Sequence, residues 1–246
     1  MLAGGGAPTK DNIIIKSLIK HAYATKPLLV LVDASHFMLE SSLRYIYKNY
    51  PDQVEKVDIR AIELDILKMG GVRKSIGQPS GNVAWFLTGG TLGNLHETKF
   101  LESVSGNAEP NDWLVLGVPC YDGVPSKEYL EDLENEYEQE VIQNFAGASL
   151  RAIWSHLDVH GRMNDAKVKA TAKLEDSPHI SSVPEAIAVV ASVDIPGHGV
   201  FSLFRSSRYK EAALITLAKQ FKWDHLVTFN GPDMSFKQIV FCFQGS

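Results

Sequence analysis

The sequence predicts an α/β protein built on a doubly wound parallel sheet, and three observations carry that expectation. Its first half alternates apolar, strand-like runs with segments of helical spacing, an order that needs crossover helices between parallel neighbours. The runs are continuously apolar rather than alternating, as strands covered on both faces are; LLVLVD at 28–33 and WLVLGV at 113–118 are the clearest. After Tyr121 the pattern changes to a long helical segment and then to strands of antiparallel character, which predicts an inserted α+β lobe.

Element by element, a helix-like stretch follows the glycines at 4–6. Pro27 to Asp33 is a buried strand ending in an acid. Ser35 to Tyr50 places Phe37, Leu39, Leu43, Ile46 and Tyr47 near helical spacing, with Pro51 after the stop. Val57 to Ile66 and Asn82 to Leu87 read as further strands, and Gly89 and Gly90 break the second of them. Leu92 to Val104 is expected to be a helix opened by Asn94, and Trp113 to Val118 a fifth buried strand. Pro125 to Trp154 reads as one long helix whose acidic start is a solvated face. Lys167 to Leu174, Ala186 to Ile195 and Val200 to Arg205 read as antiparallel strands, the last two joined by a turn at 196–199. Tyr209 to Phe221 is helical, and Asp224 to Phe229 and Lys237 to Phe243 close the chain around a turn at Gly231 and Pro232. The expected division is a core of 1–122 plus 209–246, with 123–208 inserted.

The bulk numbers exclude several classes. Of 246 residues, 45% are hydrophobic and 22% charged, which suits a folded globular chain rather than a disordered one. A net charge of −5 without any Lys/Arg run argues against nucleic acid bound by bulk electrostatics. No apolar run approaches the roughly 18 residues that span a bilayer, and the N-terminus lacks the pattern of a signal peptide. A cytoplasmic protein acting on a small molecule, with no membrane partner, is expected. Cys120 and Cys242, far apart and each beside an apolar run, read as buried thiols. The eight histidines show no metal spacing, and His156 and His160 read as a surface pair.

Chemistry is suggested at four places. LAGGGAPTK at 2–10 lets backbone pass close to a ligand at Gly4, Gly5 and Gly6, just before a helix N-terminus with free N–H groups. It does not fit the dinucleotide fingerprint, because Thr9 stands where the third glycine belongs. Asp33 ends the next strand, where an acid can hydrogen-bond both hydroxyls of a ribose; it also reads as a cap for the helix that follows. Asp65 follows at the end of the third strand. WFLTGGTLGN at 85–94 runs from a strand through a glycine bend to Asn94, an amide that reads either as a plain cap or as a group holding a substrate amine.

Taken in order, these pieces resemble the histidine-specific, S-adenosylmethionine-dependent methyltransferase family over almost the whole chain. The family's E-L-G-S-G-T-x-x-K loop is similar to Leu2 to Lys10, and its V-D-A-S to Val32 to Ser35. G-D-F is similar to Leu64 to Ile66, and F-L-G-S-T-I-G-N to Phe86 to Asn94. R-W-N-D…M-x-L is echoed at Arg162 to Asp165 and Lys169 to Leu174, and T-E-x-S-x-K-F/Y at Leu203 to Tyr209.

The resemblance implies a Rossmann-like class I methyltransferase fold and S-adenosylmethionine as cofactor. It implies that Gly4, Gly5, Gly6 and Lys10 hold the cofactor's amino-acid end, with Asp33 on its ribose. Asp65 and Ile66 then border the adenine, and the loop of Thr88, Gly89 and Thr91 lies over the crevice. Asn94, Tyr137 and Ser206 fall on the acceptor side. The family's substrate-recognising glutamate falls on Phe204, its acid before the glycine loop on Leu2, and its N-terminal segment has no counterpart before Met1.

The implied reaction is in-line displacement of a methyl from a sulfonium by a small amine or amino-acid-like acceptor, in which placement does most of the work. Two other readings stand beside it. One is a degenerate cofactor-binding or scaffolding domain without turnover. The other is a nicotinamide-dependent oxidoreductase, which Thr9 disfavours.

Overall fold

The computed structural model describes residues 2–3, 8–20, 26–52, 54–77, 81–137, 139, 168–175, 181–195, 199–232 and 235–245. They form two compact units, one of Met1–Val118 with Leu214–Ser246 and the other of Pro119–Ala213.

The larger unit is a seven-stranded sheet. Strands β1 (Leu2–Ala3), β2 (Leu28–Asp33), β3 (Asp58–Glu63), β4 (Ala84–Leu87) and β5 (Trp113–Pro119) run parallel, and β9 (Trp223–Asn230) and β10 (Phe236–Phe243) form an antiparallel pair. The order across the sheet is β3-β2-β1-β4-β5-β10-β9. Strand β10 runs against β5. Phe243, at its end, exchanges hydrogen bonds with Asn111 and Asp112 before β5, while Phe236, at its start, lies against Gly117 near the end of β5.

Sequence explains why these elements form. Pro8 begins helix α1 (Pro8–Lys20), where a fixed φ and a missing N–H cost nothing. Ser35 caps α2 (His36–Asn49), its hydroxyl accepting the Met38 N–H at 3.4 Å. β2 buries Leu29 and Leu31 on one face, with Ile15 of α1 and Leu39 and Ile46 of α2, and buries Val30 and Val32 on the other. Both faces are therefore covered, as the continuous apolar run requires. Each such aliphatic side chain contributes about 1.5–3 kcal/mol by leaving water.

Several boundaries differ from the sequence reading. The third strand stops at Glu63, because Asp65 caps a single 3-10 turn over Ile66–Lys68. The expected helix from Leu92 is two elements. A 3-10 turn spans Thr91–Asn94, Leu95 is extended, and α4 (Glu97–Ser105) starts after His96. Asn94 therefore does not open that helix. Between β3 and β4 lies a short helix α3 (Val72–Ser75). Cys120 and Cys242 are free thiols, Cys120 buried and Cys242 half-buried.

In the smaller unit, α5 (Lys127–Tyr137) accompanies an antiparallel sheet of β6 (Val168–Glu175), β7 (Ala186–Ile195) and β8 (Gly199–Arg208) in that order. Tyr121, Leu133, Ile187 and Val189 form its core, with Tyr129, Leu130 and Tyr137 packed around them. Its incoming and outgoing chain segments pair: the Tyr121 N–H donates to the Tyr209 carbonyl at 3.0 Å, and the Tyr209 N–H to Pro119 at 3.1 Å. Helix α6 (Glu211–Gln220) leads back to β9. Most of the expected long helix beyond Tyr137, the pair His156 and His160, Arg162 to Asp165 and the 196–198 turn lie outside the described residues.

Candidate active site

In an open α/β sheet a ligand lies beyond the carboxyl ends of the strands, where the strand order reverses. Here the reversal falls between β1 and β4, which are hydrogen-bonded neighbours. Ala3 pairs with both Val32 and Leu87, so the chain leaves β1 one residue short of the level of Asp33 on one side and Thr88 on the other. Asp33 in turn pairs with Glu63, and Leu87 with Leu116, just before Gly117. Glu63, Asp33, Thr88 and Gly117 thus form one row along the carboxyl edge.

Asp33 is half-buried. Its Oδ1 accepts the Ser35 N–H at 2.7 Å, which fixes the carboxylate in a local turn. Its Oδ2 has no partner among the described residues, so it remains available to accept from a ligand hydroxyl. The cap of α2 is Ser35 and not Asp33. The Leu64 N–H donates to the Asp33 carbonyl at 2.9 Å, which brings the chain carrying Asp65 alongside. Asp65 accepts the Leu67 N–H at 2.9 Å through Oδ1, and its Oδ2 lies 3.8 Å from the Lys68 ammonium. Ile66, beside it, is buried. At the same end the Glu63 carboxylate is 3.2 Å from Nδ1 of His36, an exposed pair worth little in stability.

The loop after β4 is built from two left-handed glycines, Gly89 at φ 70° and Gly90 at φ 78°. A side chain at either would meet the backbone clash that reserves this region for glycine. The Gly90 N–H donates to the Gly117 carbonyl at 3.0 Å, and the Thr91 hydroxyl to the Thr88 carbonyl at 2.9 Å. Asn94 is exposed at the end of the ensuing turn. Asp33, Asp65, Ile66, Thr88, Gly89 and Thr91 therefore gather at one edge. Gly4, Gly5 and Gly6 lie outside the described residues, and Lys10 sits in the first turns of α1. Tyr137 ends α5 and Ser206 lies on β8, both in the smaller unit.

Sequence reasoning passed over Gly117. A Cβ there would lie 3.2 Å from the Thr88 Cα and 3.3 Å from the Gly89 nitrogen. A side chain there would be tighter than most Cβ contacts and would press on the loop; the signal was a lone glycine inside an otherwise apolar strand.

The opposite end of the sheet carries a buried charge network with a different purpose. Asp112, fully buried, accepts from Arg73 Nη1, from the Val83 N–H at 2.8 Å and from the Glu109 N–H at 3.0 Å. Glu109 pairs with Arg73 at 2.8 Å. This network ties the starts of β4 and β5 together. Arg73 also lines a cavity there with Lys74 and Asn107.

The order β3-β2-β1-β4-β5 closed by an antiparallel strand, with a carboxylate ending β2 that keeps one oxygen unengaged and a glycine bend ending β4, defines a class I methyltransferase fold. The family model described as histidine-specific methyltransferase, SAM-dependent, matches residues 3–242, and the chain belongs to that family. Its cofactor is S-adenosylmethionine, and the chemistry of the carboxyl edge fits it. Asp33 Oδ2 is a carboxylate acceptor of the kind a hydroxyl-bearing ligand can use, and Gly89 and Gly90 put no side chain on that edge. Among solved structures, a SAM-dependent methyltransferase from Methanosarcina mazei is similar at 9% identity and a TM-score of 0.51, over 100% of this chain and 92% of that one. A protein described as a pericyclic reaction enzyme is similar at 10% identity and a TM-score of 0.50, over 99% of this chain and 42% of that one. At such identities the likeness concerns the fold alone, which hosts more than one chemistry. No curated protein matches the chain in sequence. No helix among the described residues is long and apolar enough to cross a membrane.

Proposed function

We propose that this methyltransferase acts on the nitrogen of a small amine or amino-acid-like acceptor. The observation that carries the reading is the carboxyl edge itself, where Asp33 keeps one oxygen unengaged beside Asp65 and the Gly89–Gly90 bend.

When bound, the sulfonium offers its methyl carbon to a nucleophile and leaves as a thioether. An uncharged amine suffices as that nucleophile: its lone pair forms the C–N bond as the C–S bond breaks, and the ammonium then releases a proton to solvent. The protein's task is placement, with the reacting atoms held at about 3 Å. In this reading Asp33 orients the ribose and Asp65 with Ile66 borders the adenine. Gly4, Gly5, Gly6 and Lys10 hold the amino-acid end. Thr88, Gly89 and Thr91 form the loop over the crevice. Asn94, Tyr137 and Ser206 are assigned to the acceptor, each with a polar group that can hydrogen-bond an amine or its departing proton. The proposed division of labour follows the sequence, with 1–122 and 209–246 as the methyltransferase core and 123–208 as the substrate lobe.

The test is incubation with S-adenosylmethionine and a panel of amines and amino acids, read by mass spectrometry. A methylated amine formed together with S-adenosylhomocysteine supports the proposal. Cofactor binding without S-adenosylhomocysteine above the acceptor-free control, across the panel, favours a binding domain without turnover instead.

A further inference from the structure

We infer that Ser103 of α4 is a positioning residue for the cofactor's base, holding in place the turn that carries Asp65 and Ile66. This rests on the assignment of those two residues to the adenine above, and adds the group that fixes them.

The segment after β3 has little regular structure to keep it in place. It is a single 3-10 turn over Ile66–Lys68, with Asp65 before it and Met69 after it. Two of its hydrogen bonds are internal: the Leu67 N–H donates to Asp65 Oδ1 at 2.9 Å, and the Lys68 N–H to the Asp65 carbonyl at 2.7 Å. Among the described residues, two others tie it to distant parts of the chain. At its start the Leu64 N–H donates to the Asp33 carbonyl at 2.9 Å, continuing the pairing of β2 with β3. At its end the Met69 N–H donates to the Ser103 hydroxyl at 2.8 Å.

The second tie depends on one side chain. A serine inside a helix commonly points to solvent or bonds its own preceding turn. Ser103 is half-buried and accepts from another element instead. Its helix is a firm base, because Phe100, Leu101 and Val104 around it are buried. Met69 is fully buried, so its N–H has no water to turn to. Without the Ser103 hydroxyl that donor is stranded, and the turn relieves it by shifting outward. A single turn transmits such a shift to Asp65 at its other end. There Oδ1 is taken by Leu67, and Oδ2, 3.8 Å from the exposed Lys68 ammonium, faces the remaining demand. An ionised carboxylate only accepts. Adenine offers it an exocyclic amino group, whereas hypoxanthine carries an oxo group in the same place. Displacement of the turn therefore reads out as lost discrimination between the two bases.

Ser105, on the same helix, supplies the contrast. Its hydroxyl donates to the Phe221 carbonyl at 3.2 Å and accepts from Trp223 Nε1 at 2.9 Å. It fastens α4 to the start of β9 and leaves Met69 untouched.

Calorimetric titration with S-adenosylhomocysteine and S-inosylhomocysteine tests the inference. The wild type is expected to bind the adenosyl compound about tenfold or more tightly, since a site that pairs with an N–H rejects the analogue lacking it. In Ser103→Ala that ratio falls to about threefold or less, with affinity for the inosyl compound held within a factor of about two. Ser103→Thr restores the acceptor and keeps the ratio. Ser105→Ala keeps the ratio too, while lowering the melting temperature. A wild-type ratio near one overturns the proposal and needs no variant to fold; it leaves the methyltransferase reading standing. A ratio retained in Ser103→Ala, or lost equally in Ser103→Thr or in Ser105→Ala, overturns it as well. Failure of the wild type to bind S-adenosylhomocysteine overturns it together with the methyltransferase reading.

Discussion

The carbonyl of Gly117 on β5 receives the N–H of Gly90 at 3.0 Å, fastening the loop after β4 to the neighbouring strand. Gly117 puts no side chain against that loop. Gly117→Ala would set a methyl 3.2 Å from the Thr88 Cα and 3.3 Å from Phe236 Cε1, so the loop must yield by a few tenths of an ångström. Overpacking of this kind costs about 1–3 kcal/mol. We expect cofactor affinity to fall several-fold in Gly117→Ala and further in Gly117→Val, measured by calorimetry on protein shown to be folded. Loss of stability with unchanged affinity would mean that the loop does not border the cofactor.

At the other end of the sheet, Asp112 answers four donors while fully buried: Arg73, the Val83 and Glu109 amides, and Trp85 Nε1 at 3.5 Å. Removing one partner of a buried ion pair leaves an uncompensated charge, at a cost of about 3–5 kcal/mol. Asp112→Ala is therefore expected to lower the denaturation midpoint steeply. The fraction that remains folded should bind the cofactor normally, because this network lies at the end of the strands away from Asp33. A small change in midpoint contradicts the account.

The smaller unit carries a pH signature. Burial, with help from Glu185 and Tyr129, pushes the Tyr121 hydroxyl up to about 12 from the ordinary 10. Its O–H donates to the Glu185 carbonyl, so the native state holds it protonated. A folded pKa raised above the unfolded one gives stability that is complete below pH 10 and is lost as pH rises toward 12. Spectrophotometric titration should show one tyrosine ionising about two units late, and Tyr121→Phe should remove that step. It should also cost about 1 kcal/mol through the lost hydrogen bond.

Ser35 caps, whereas binding is proposed for Asp33. The Ser35 hydroxyl caps α2, so Ser35→Ala should cost about 1 kcal/mol in stability and leave cofactor affinity within a factor of two or so. Thermal melts paired with titrations decide it. A large affinity loss in Ser35→Ala would mean that the cap itself positions the ligand.

The parallel half of the fold was legible because its strands are buried on both faces. The continuous apolar runs at 28–33 and 113–118 leave little choice of period, and both strands fall within a residue of their expected bounds. Boundaries failed where short polar residues compete with regular structure. Asp65 ends β3 early by bonding its own backbone two residues on, and Gly90 forces a 3-10 turn where helical spacing predicted the start of a helix. Asp33, Asp65 and the Thr88 to Thr91 loop were legible because strand ends announce themselves. Gly117 was not, since its meaning lies in the loop after β4 that is brought against it.

The central claim is that Asp33 holds the cofactor's ribose, and calorimetric titration of wild type and Asp33→Ala with S-adenosylmethionine tests it most directly. The account predicts saturable binding by the wild type and none measurable by the variant, with similar melting temperatures. Equal affinity in the two proteins would contradict it.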